Sequence, residues 1–488
     1  MRRFSAVMLP VLLVAMLATA CSGGNSGGTS SSSGKQVQVW LTTPDRSKLL
    51  QQEESLKLTK AKDSDSEEGV VTIDDQKVYQ QMDGFGASLT DSSAWLIANK
   101  MNDAQRGDLM GKLFDHEQGI GISYLRVPLG ASDFAVENYS FDDMPAGESD
   151  PELKNFSLGH DKEYIIPTLQ QALKINPDLK LMGSPWSPPG WMKTTDSVIG
   201  GSLKQEAYEP FANYLVKIIQ GYEAEGVPFD AITLQNEPHY TPEDYPGMRM
   251  EPLEQAELIK NDVGPAFEKN NIKSKIVIWD HNWDEPYYPL TILNDPDALK
   301  YVDGTAFHGY AGEVGNQAQV HDAYPDKNLY FTESSGGAWS TDFGGNLKWD
   351  MENLIIGATR NWAKVVLKWN LALDENYGPT IGGCKDCMGV VTINQGTGDV
   401  TLNSEYYSFG HASKFVKSGA YRIESGESVS GGIEQVAFKN PDGSIVLVAL
   451  NAAGEDQELK VKIGGQLFAY TMPAGAVATF VLPGTDRK

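Results

Sequence analysis

The stretch Phe229-Asp230-Ala231-Ile232-Thr233-Leu234-Gln235-Asn236-Glu237-Pro238 climbs through an apolar run to a polar tripeptide and is stopped by proline. Ile232 and Leu234 sit at strand period around β-favouring Thr233, which predicts a short buried strand. Pro238 cannot donate to a ladder and biases Glu237 toward an extended conformation, so the strand is predicted to end there. Asn236 and Glu237 then stand at its C-terminal tip. In a βα barrel that tip is the face on which reactive side chains are presented. Taken alone, Asn-Glu-Pro serves equally well as a helix N-cap or a turn. A second stretch, Asn328-Leu329-Tyr330-Phe331-Thr332-Glu333-Ser334-Ser335-Gly336-Gly337, repeats the plan: an apolar strand, a terminal glutamate, then loop-forming residues. Two glutamates so placed suggest a pair of carboxylates facing one bond.

Outward from these two stretches the chain alternates strands and helices. Strands are predicted at 81–89, 122–129 (carrying Arg126, with Asp133 beyond), 179–184, 231–237, 275–279, 304–307, 329–333 and 365–369. Amphipathic helices lie between them, for example at 164–175, 208–225 and 253–270. Eight βα units with polar or aromatic residues at most strand ends predict a closed parallel (β/α)8 TIM barrel. After Cys387 the pattern changes to short strands at 389–393, 434–438, 444–450, 459–463 and 476–482, with Asp442-Gly443 as a hairpin signal. These predict an antiparallel side β-sandwich, with one helix at 404–415 inside it or at its border. Val37, Val39 and Leu41 alternate with polar residues, and strands recur near Val71 and Ile73. They are expected to join the sandwich and make it discontinuous. The expected layout is 36–80 for the N-terminal sandwich strands, 81–388 for the barrel and 389–488 for the rest of the sandwich.

The first 35 residues read as targeting rather than fold. Arg2 and Arg3 precede an apolar run from Val7 to Leu17, too short to span a bilayer comfortably. Ala18-Thr19-Ala20-Cys21 is similar to a bacterial lipobox, giving a signal peptide over 1–20, a lipidated Cys21 and a Gly/Ser tether to residue 35. Ordinary secretory cleavage near Ala20 is the alternative. The expected location is the cell envelope, with membrane contact only through that anchor. Residues 64–68 read as an acidic surface loop. Cys384 and Cys387, the remaining cysteines, are in an exported chain most simply a disulfide. Redox chemistry and half a zinc site are the other uses of that spacing, but no second cysteine pair exists and the histidines are scattered.

With 488 residues, a formal charge of -25 and a mean hydropathy of -0.34, the chain has the balance of a soluble globular protein. The acidity argues against nucleic acid or an anionic membrane surface as the main partner. A neutral substrate such as a sugar fits, and glycoside hydrolysis commonly uses two carboxyl groups. Trp186, Trp191, Trp339 and Trp369 offer flat faces for sugar rings, with core packing as the other reading of each. Asn236, just before the first glutamate, is positioned to bond a sugar 2-hydroxyl.

The segments Asp83-Gly84-Phe85-Gly86, Leu125-Arg126-Val127-Pro128-Leu129, Ser184-Pro185-Trp186, Leu234-Gln235-Asn236-Glu237-Pro238, Phe307-His308-Gly309-Tyr310, Thr332-Glu333 and Lys368-Trp369-Asn370-Leu371-Ala372-Leu373 occur in order. Together they resemble glycoside hydrolase family 30, the family of lysosomal glucosylceramidase and microbial β-1,6-glucanases. The resemblance covers about residues 70–485 and implies a (β/α)8 barrel with a side β-sandwich. It implies Glu237 as acid/base and Glu333 as nucleophile. It implies that Asp133, Trp186, Asn236 and Trp369 hold the sugar, that Arg126 lies beneath the carboxylates, and that His308 and Tyr310 form a pair near the nucleophile. A satisfied buried imidazole is the other reading of His308. Asp91 is expected in support or as a helix cap. The implied mechanism is double displacement with retention, without cofactor or metal, by a monomer, with the Glu237 pKa raised by the Glu333 charge. The loop 240–248 and the Cys384–Cys387 loop look like the microbial branch, so a β-1,6-glucan is the first expected substrate. Glucosylceramide or a short β-glucoside is the second, and a xylan is disfavoured because no basic cluster for a uronic acid branch is evident. A non-catalytic, surface-tethered glycan binder is the competing class, which two intact glutamates oppose.

Overall fold

The computed structural model describes residues 36–61, 69–426 and 431–484. Cys21, the signal peptide, the tether and the acidic stretch 64–68 lie outside the described residues. No helix among the described residues is long and apolar enough to cross a membrane.

Eight parallel strands close into a barrel: β1 (Gly84–Ser88), β2 (Tyr124–Pro128), β3 (Lys180–Ser184), β4 (Ala231–Thr233), β5 (Lys275–Asn282), β6 (Val302–His308), β7 (Asn328–Glu333) and β8 (Ala363–Asn370). Their interior is layered. Tyr124, Met182, Ala231, Val277, Ala306, Tyr330 and Val365 fill one level with apolar side chains. Side chains alternate along a strand, so residues two positions on point inward one level higher. That step reaches Arg126, Ser184, Thr233, His308 and Thr332, and the barrel changes from apolar to polar just below its mouth. The fill below makes this a packed core rather than a pore.

Three bulges adjust which side chains reach that mouth. Along β5 and β6, Trp279 pairs with Ala306 and His281 with Phe307, so Asp280 is the extra residue. Trp279 and Asp280 both take left-handed conformations, with φ of 72° and 63°. Along β6 and β7 the extra residue is Thr332, and along β8 and β1 it is Trp369. Bulges of this kind re-aim side chains next to active sites.

Strand β4 is shorter than the predicted 231–237. Asn236 and Glu237 leave the ladder, and Glu237 has φ of 44° rather than the extended conformation that Pro238 was expected to impose. Tertiary hydrogen bonds override the local preference: Asn236 N–H donates to Pro185 O at 2.8 Å and Glu237 N–H to Asp280 O at 3.1 Å. Strand β5 in turn runs three residues beyond the predicted 279. The helix expected over 253–270 is divided by a π turn, Ile259–Val263, between Pro252–Leu258 and Gly264–Lys269. Pro265 has no N–H to give, and the wider turn accommodates the missing bond.

The second layer is a sheet wrapped on itself. Gln36–Thr42 pairs antiparallel with Val477–Leu482, which pairs with Ile445–Asn451, then Ile433–Lys439 and Tyr421–Glu424. The long strand Val70–Gln81 pairs with Tyr421–Glu424 at one end and runs parallel to Gln457–Ile463 at the other, so the sandwich is not purely antiparallel. The stretch at 389–393, expected in the sandwich, lies elsewhere. Val391–Ile393 forms a small sheet with Ala372–Asp374 and Val400–Leu402 because the chain after β8 folds back over the barrel. The sandwich resumes only at Tyr421. Ile445–Asn451 is buried on both faces. Leu447 and Ala449 face the sandwich interior, while Val446, Val448 and Leu450 join the barrel core.

Phe438 and Phe85 of β1 meet edge to face across this joint, with centroids 6.2 Å apart. On the helix Ser404–Ser413, buried His411 bridges Thr42 Oγ1 at 2.8 Å and Thr479 Oγ1 at 2.9 Å. Burial pulls its pKa down to about 3, so it bridges as a neutral ring. Barrel and sandwich share this core and should unfold together. Phe438→Ala should lower stability by about 3–5 kcal/mol while keeping a single transition in calorimetry; a second transition would show that the layers unfold separately.

Candidate active site

A cavity of about 830 Å³ opens at the C-terminal mouth of the barrel, with Glu237, Glu333, Asp133, Tyr310, His281 and Trp369 in its walls. Glu237 follows β4 and Glu333 ends β7, on different sides of the ring. A carboxylate oxygen of one lies within 4.8 Å of one of the other. That is the short spacing associated with retention, below the roughly 6.5–9.5 Å of inverting sites.

Arg126 organises the floor. It is fully buried. Its Nη1 donates to Glu333 Oε2 at 2.5 Å, and its Nη2 to Asp280 Oδ2 at 2.7 Å, Asn236 Oδ1 at 2.7 Å and Ser184 Oγ at 3.1 Å. Trp186 and Trp369 cover the guanidinium at 4.7 and 5.4 Å and stack on each other at 4.9 Å. A planar, always-charged group suits such a stacked, multiply bonded position. Asn236 spends its carbonyl oxygen on Arg126, and its amide nitrogen has no partner among the described residues.

Asp280 is the second hub. Besides Arg126 it accepts from Ser184 Oγ, Thr233 Oγ1, Thr332 Oγ1 and His308 Nε2, at 2.8, 2.8, 2.7 and 3.1 Å. Burial would raise its pKa, but the Arg126 charge and the His308 hydrogen bond outweigh this and hold it far below the carboxylate range. The other nitrogen of His308, Nδ1, lies 3.0 Å from Glu237 Oε1. His308 is therefore neither an isolated core imidazole nor a neighbour of Glu333 alone: it links Asp280 to Glu237. Tyr310 stands on the other glutamate, its hydroxyl donating to Glu333 Oε1 at 3.0 Å.

The proton balance reverses one expectation. Burial raises Glu237, but the hydrogen bond and charge of His308, with His281 and Arg126, outweigh it and the carboxyl sits below its ordinary value. Burial would lower His308, yet Glu333, Asp280 and Glu237 push it up to about 9. Glu333 is raised, by burial first, against the pull of His308 and Arg126. The Glu333 charge alone does not set Glu237, because the imidazole between Glu237 and Asp280 competes for the same proton. His308 Nδ1 and Glu237 Oε1 face each other across a 3.0 Å bond, so a proton lies between them.

Asp133 is buried, and its Oδ1 has no hydrogen-bond partner among the described residues. Burial, then the charges of Glu333 and Glu237, push its pKa well above the usual range. Trp339 is exposed at the rim of the cavity. Trp186 stacks behind Trp369 and is not itself in the wall. Trp191 lies in the barrel's core, its indole donating to Asp142 Oδ2 at 3.0 Å, so core packing is its role. Asp91 is also away from the cavity. Thr90, not Asp91, caps the helix, and Asp91 accepts from Val136 N–H at 2.7 Å and Tyr164 Oη at 2.6 Å, bracing the loop that carries Asp133. Cys384 and Cys387 form a disulfide whose loop packs on Trp369 and Phe134.

Glu237, His308 and Glu333 offer the one set of ligand atoms among the described residues close enough for a metal ion. Both nitrogens of His308 are already engaged, and the Arg126 guanidinium occupies Glu333. The positive charge a metal would bring is supplied by the protein.

Two site residues escaped sequence reasoning, Asp280 and His281. His281 Nε2 approaches Glu237 Oε1 at 3.7 Å. Both directly follow the apolar run 275–279, the same position relative to a strand that drew attention to Glu237 and Glu333.

The glycosyl hydrolase family 30 TIM-barrel domain matches residues 82–416, and the beta sandwich domain of the same family matches residues 419–480. The chain belongs to glycoside hydrolase family 30. Among curated relatives, it is 36% identical over 445 residues to an endo-1,6-beta-D-glucanase of Aspergillus fumigatus, covering 85% of this chain and 88% of that protein. It is 31% identical over 435 residues to the lysosomal acid glucosylceramidase of Mus musculus, covering 83% and 82%. Among solved structures, the endo-beta1,6-glucanase BT3312 superposes with a TM-score of 0.85 at 34% identity, covering 92% of this chain and all of that one. This family 30 chain is accordingly a glycoside hydrolase.

Asp280→Asn should cut kcat by about 10²-fold or more and destabilise the fold by about 3–5 kcal/mol, since Arg126 and His308 would keep their burial and lose their shared anion. Steady-state kinetics beside denaturant unfolding would check both, and a variant with normal kcat would remove Asp280 from the machinery.

Proposed function

We propose that the chain is a retaining endo-β-1,6-glucanase in which Glu237 is the acid/base and Glu333 the nucleophile. The observation that carries this reading is the close pair of glutamates, each with its own partner set. Arg126 and Tyr310 orient Glu333 and favour its ionised form. His308 keeps a proton beside Glu237. The substrate follows from the relatives named for that activity, which are matched over most of both chains.

In the first step Glu333 attacks the anomeric carbon while Glu237 protonates the leaving oxygen, using the proton it shares with His308. Asp280, fixed as an anion, keeps His308 oriented with Nε2–H toward itself and Nδ1 toward Glu237. Once Glu333 is esterified its charge is gone. Glu237 then takes a proton from water, which attacks the same carbon and releases the sugar with net retention. Trp369 provides an apolar face for the ring, and Asp133 and the free amide of Asn236 supply hydroxyl partners. The same reading keeps the enzyme at the cell envelope, tethered through a lipidated Cys21.

Activity then needs Glu333 ionised and one proton on the Glu237–His308 pair. The rate should fall on the acid side as Glu333 is protonated, above the ordinary glutamate range, and on the alkaline side as the pair loses its proton. Replacing His308 with Asn leaves Glu237 to hold the proton alone and should move the alkaline limb of kcat/KM down by about one unit or more. An unmoved limb would separate His308 from the proton inventory.

The direct test is hydrolysis of a β-1,6-glucan, beside a fluorescent glucosylceramide and an aryl β-glucoside, by the chain starting at Lys35. Oligosaccharide release that Glu333→Gln loses by about 10³-fold or more supports the reading. Turnover confined to the lipid or the aryl glucoside would move the enzyme to the glucosylceramidase branch of the family.

A further inference from the structure

Among the loops that follow β3 and β4, one lysine is buried without a carboxylate. Lys193 is fully buried. Its Nζ donates to Ser187 Oγ at 2.8 Å, Val198 O at 2.7 Å and Gly247 O at 2.7 Å. The Ser187 hydroxyl spends its own proton on Pro188 O at 2.8 Å, so all three partners only accept. Three acceptors match the three N–H groups of an ammonium. Burial pulls the Lys193 pKa down to about 7, and no carboxylate among the described residues pairs with it. Charged residues on the same segments are engaged elsewhere: Asp196 accepts from Gly147 N–H at 2.9 Å, and Arg249 Nε pairs with Glu251 at 2.8 Å.

The three acceptors belong to three pieces of chain. Ser187 lies in the run after β3. Val198 lies in the excursion 193–203, closed at its base by a bridge between Lys193 and Leu203. Gly247 lies in the loop 240–248 that follows Glu237. The excursion carries that loop: Gly247 N–H donates to Val198 O at 3.1 Å and Arg249 N–H to Gly201 O at 2.9 Å. The loop in turn puts Tyr240 and Tyr245 into the cavity wall. It is folded tightly at its end, where a Cβ on Gly247 would stand 2.4 Å from Pro242 Cδ. Lys193 thus ties the loop after β4 to the loop after β3 from behind the wall. The tip of β4 is fixed separately, by the bonds of Asn236 N–H to Pro185 O and Glu237 N–H to Asp280 O.

A buried ammonium costs free energy, and a methionine would fill the same space without that cost. A methionine could not hold acceptors from three segments at one point. We propose that Lys193 is a positioning residue: its ammonium holds the wall that carries Tyr240 and Tyr245 against the part of the substrate beyond Glu237. This rests on the reading of Glu237 as acid/base, which puts the leaving part of the substrate on that side. Loss of the ammonium loosens the wall and leaves the two glutamates in place, because the bonds that fix them do not pass through Lys193.

Steady-state kinetics at about pH 6, where Lys193 is protonated, distinguish this from a purely structural role. Lys193→Met should raise KM for β-1,6-glucan by about tenfold with kcat within about twofold of wild type. It should keep kcat/KM for an aryl β-glucoside, whose leaving group is a single ring, within about threefold. Ser187→Ala removes one acceptor and should raise the glucan KM by about threefold, which keeps the test decisive if Lys193→Met fails to fold. Equal losses on both substrates, or an unchanged glucan KM in folded variants, would overturn the role of Lys193 and spare the glucanase reading. A wild type that cleaves glucosylceramide and not the glucan would overturn the glucanase reading instead, and the same variants would then be compared on glucosylceramide and the aryl glucoside, with the same pattern expected.

Discussion

One buried guanidinium sets the conditions for everything above it. Arg126 sits, fully buried, where the barrel interior changes from apolar to polar. A charge in that position is tolerable only if it is paired and hydrogen-bonded; acceptors meet both terminal nitrogens, while Nε has no partner among the described residues. Asp280 and Glu333 supply the negative charge, Asn236 and Ser184 supply further acceptors, and two stacked tryptophans cover the flat face. The need to satisfy one cation thereby fixes an asparagine, a glutamate, an aspartate and two aromatic rings. Buried ion pairs are weak contributors to stability. Here the arrangement orients Glu333 and favours its charge.

Asp280 converts that local requirement into a difference between the two glutamates. Five donors hold it ionised. Its bond to His308 Nε2 leaves Nδ1 facing Glu237, so one glutamate is coupled to a proton carrier and the other to a permanent cation. Two like carboxyls less than 5 Å apart would otherwise compete for a single proton without preference. Environment distinguishes them, as it must when the same side chain has two tasks. The proton that His308 holds is one hydrogen bond from Glu237.

Much of this was legible in the sequence, for identifiable reasons. The barrel was readable because strand and helix periods alternate eight times, and Glu237 and Glu333 because each closes an apolar run. The sandwich was readable from short strands and turn residues, though not its parallel pair, since strand direction leaves no mark on a residue pattern. What escaped depends on register. Asp280 reaches the mouth through a bulge, and a one-residue slip changes which face a side chain takes. A strict alternation would have turned Trp279 inward. The left-handed backbone at Trp279 and Asp280 puts the carboxylate there instead, and neither residue type announces that conformation. Glu237 failed the same way: proline's local preference for an extended neighbour was overridden by two tertiary hydrogen bonds. The tryptophans show the limit of composition, since Trp191 is core, Trp186 backs another ring and Trp369 faces the cavity.

The placement of strain follows the same logic. Glu237, Trp279 and Asp280 are non-glycine residues with positive φ, a conformation that costs free energy and persists only where surroundings impose it. All three lie on the β4–β5 side of the mouth, and the Glu237 amide donates to the Asp280 carbonyl, so the strained segments hold each other. On the β7–β8 side the backbone is opened by Gly336 and Gly337 and closed by the Cys384–Cys387 loop through a short pairing of Gly336–Gly337 with Cys387–Met388. One side of the mouth is thus built for fixed geometry at Glu237. The other is built for space beside the second glutamate. A barrel that places rigidity under the bond to be broken and room under the chain that must lie across it divides those demands between strands that do not touch.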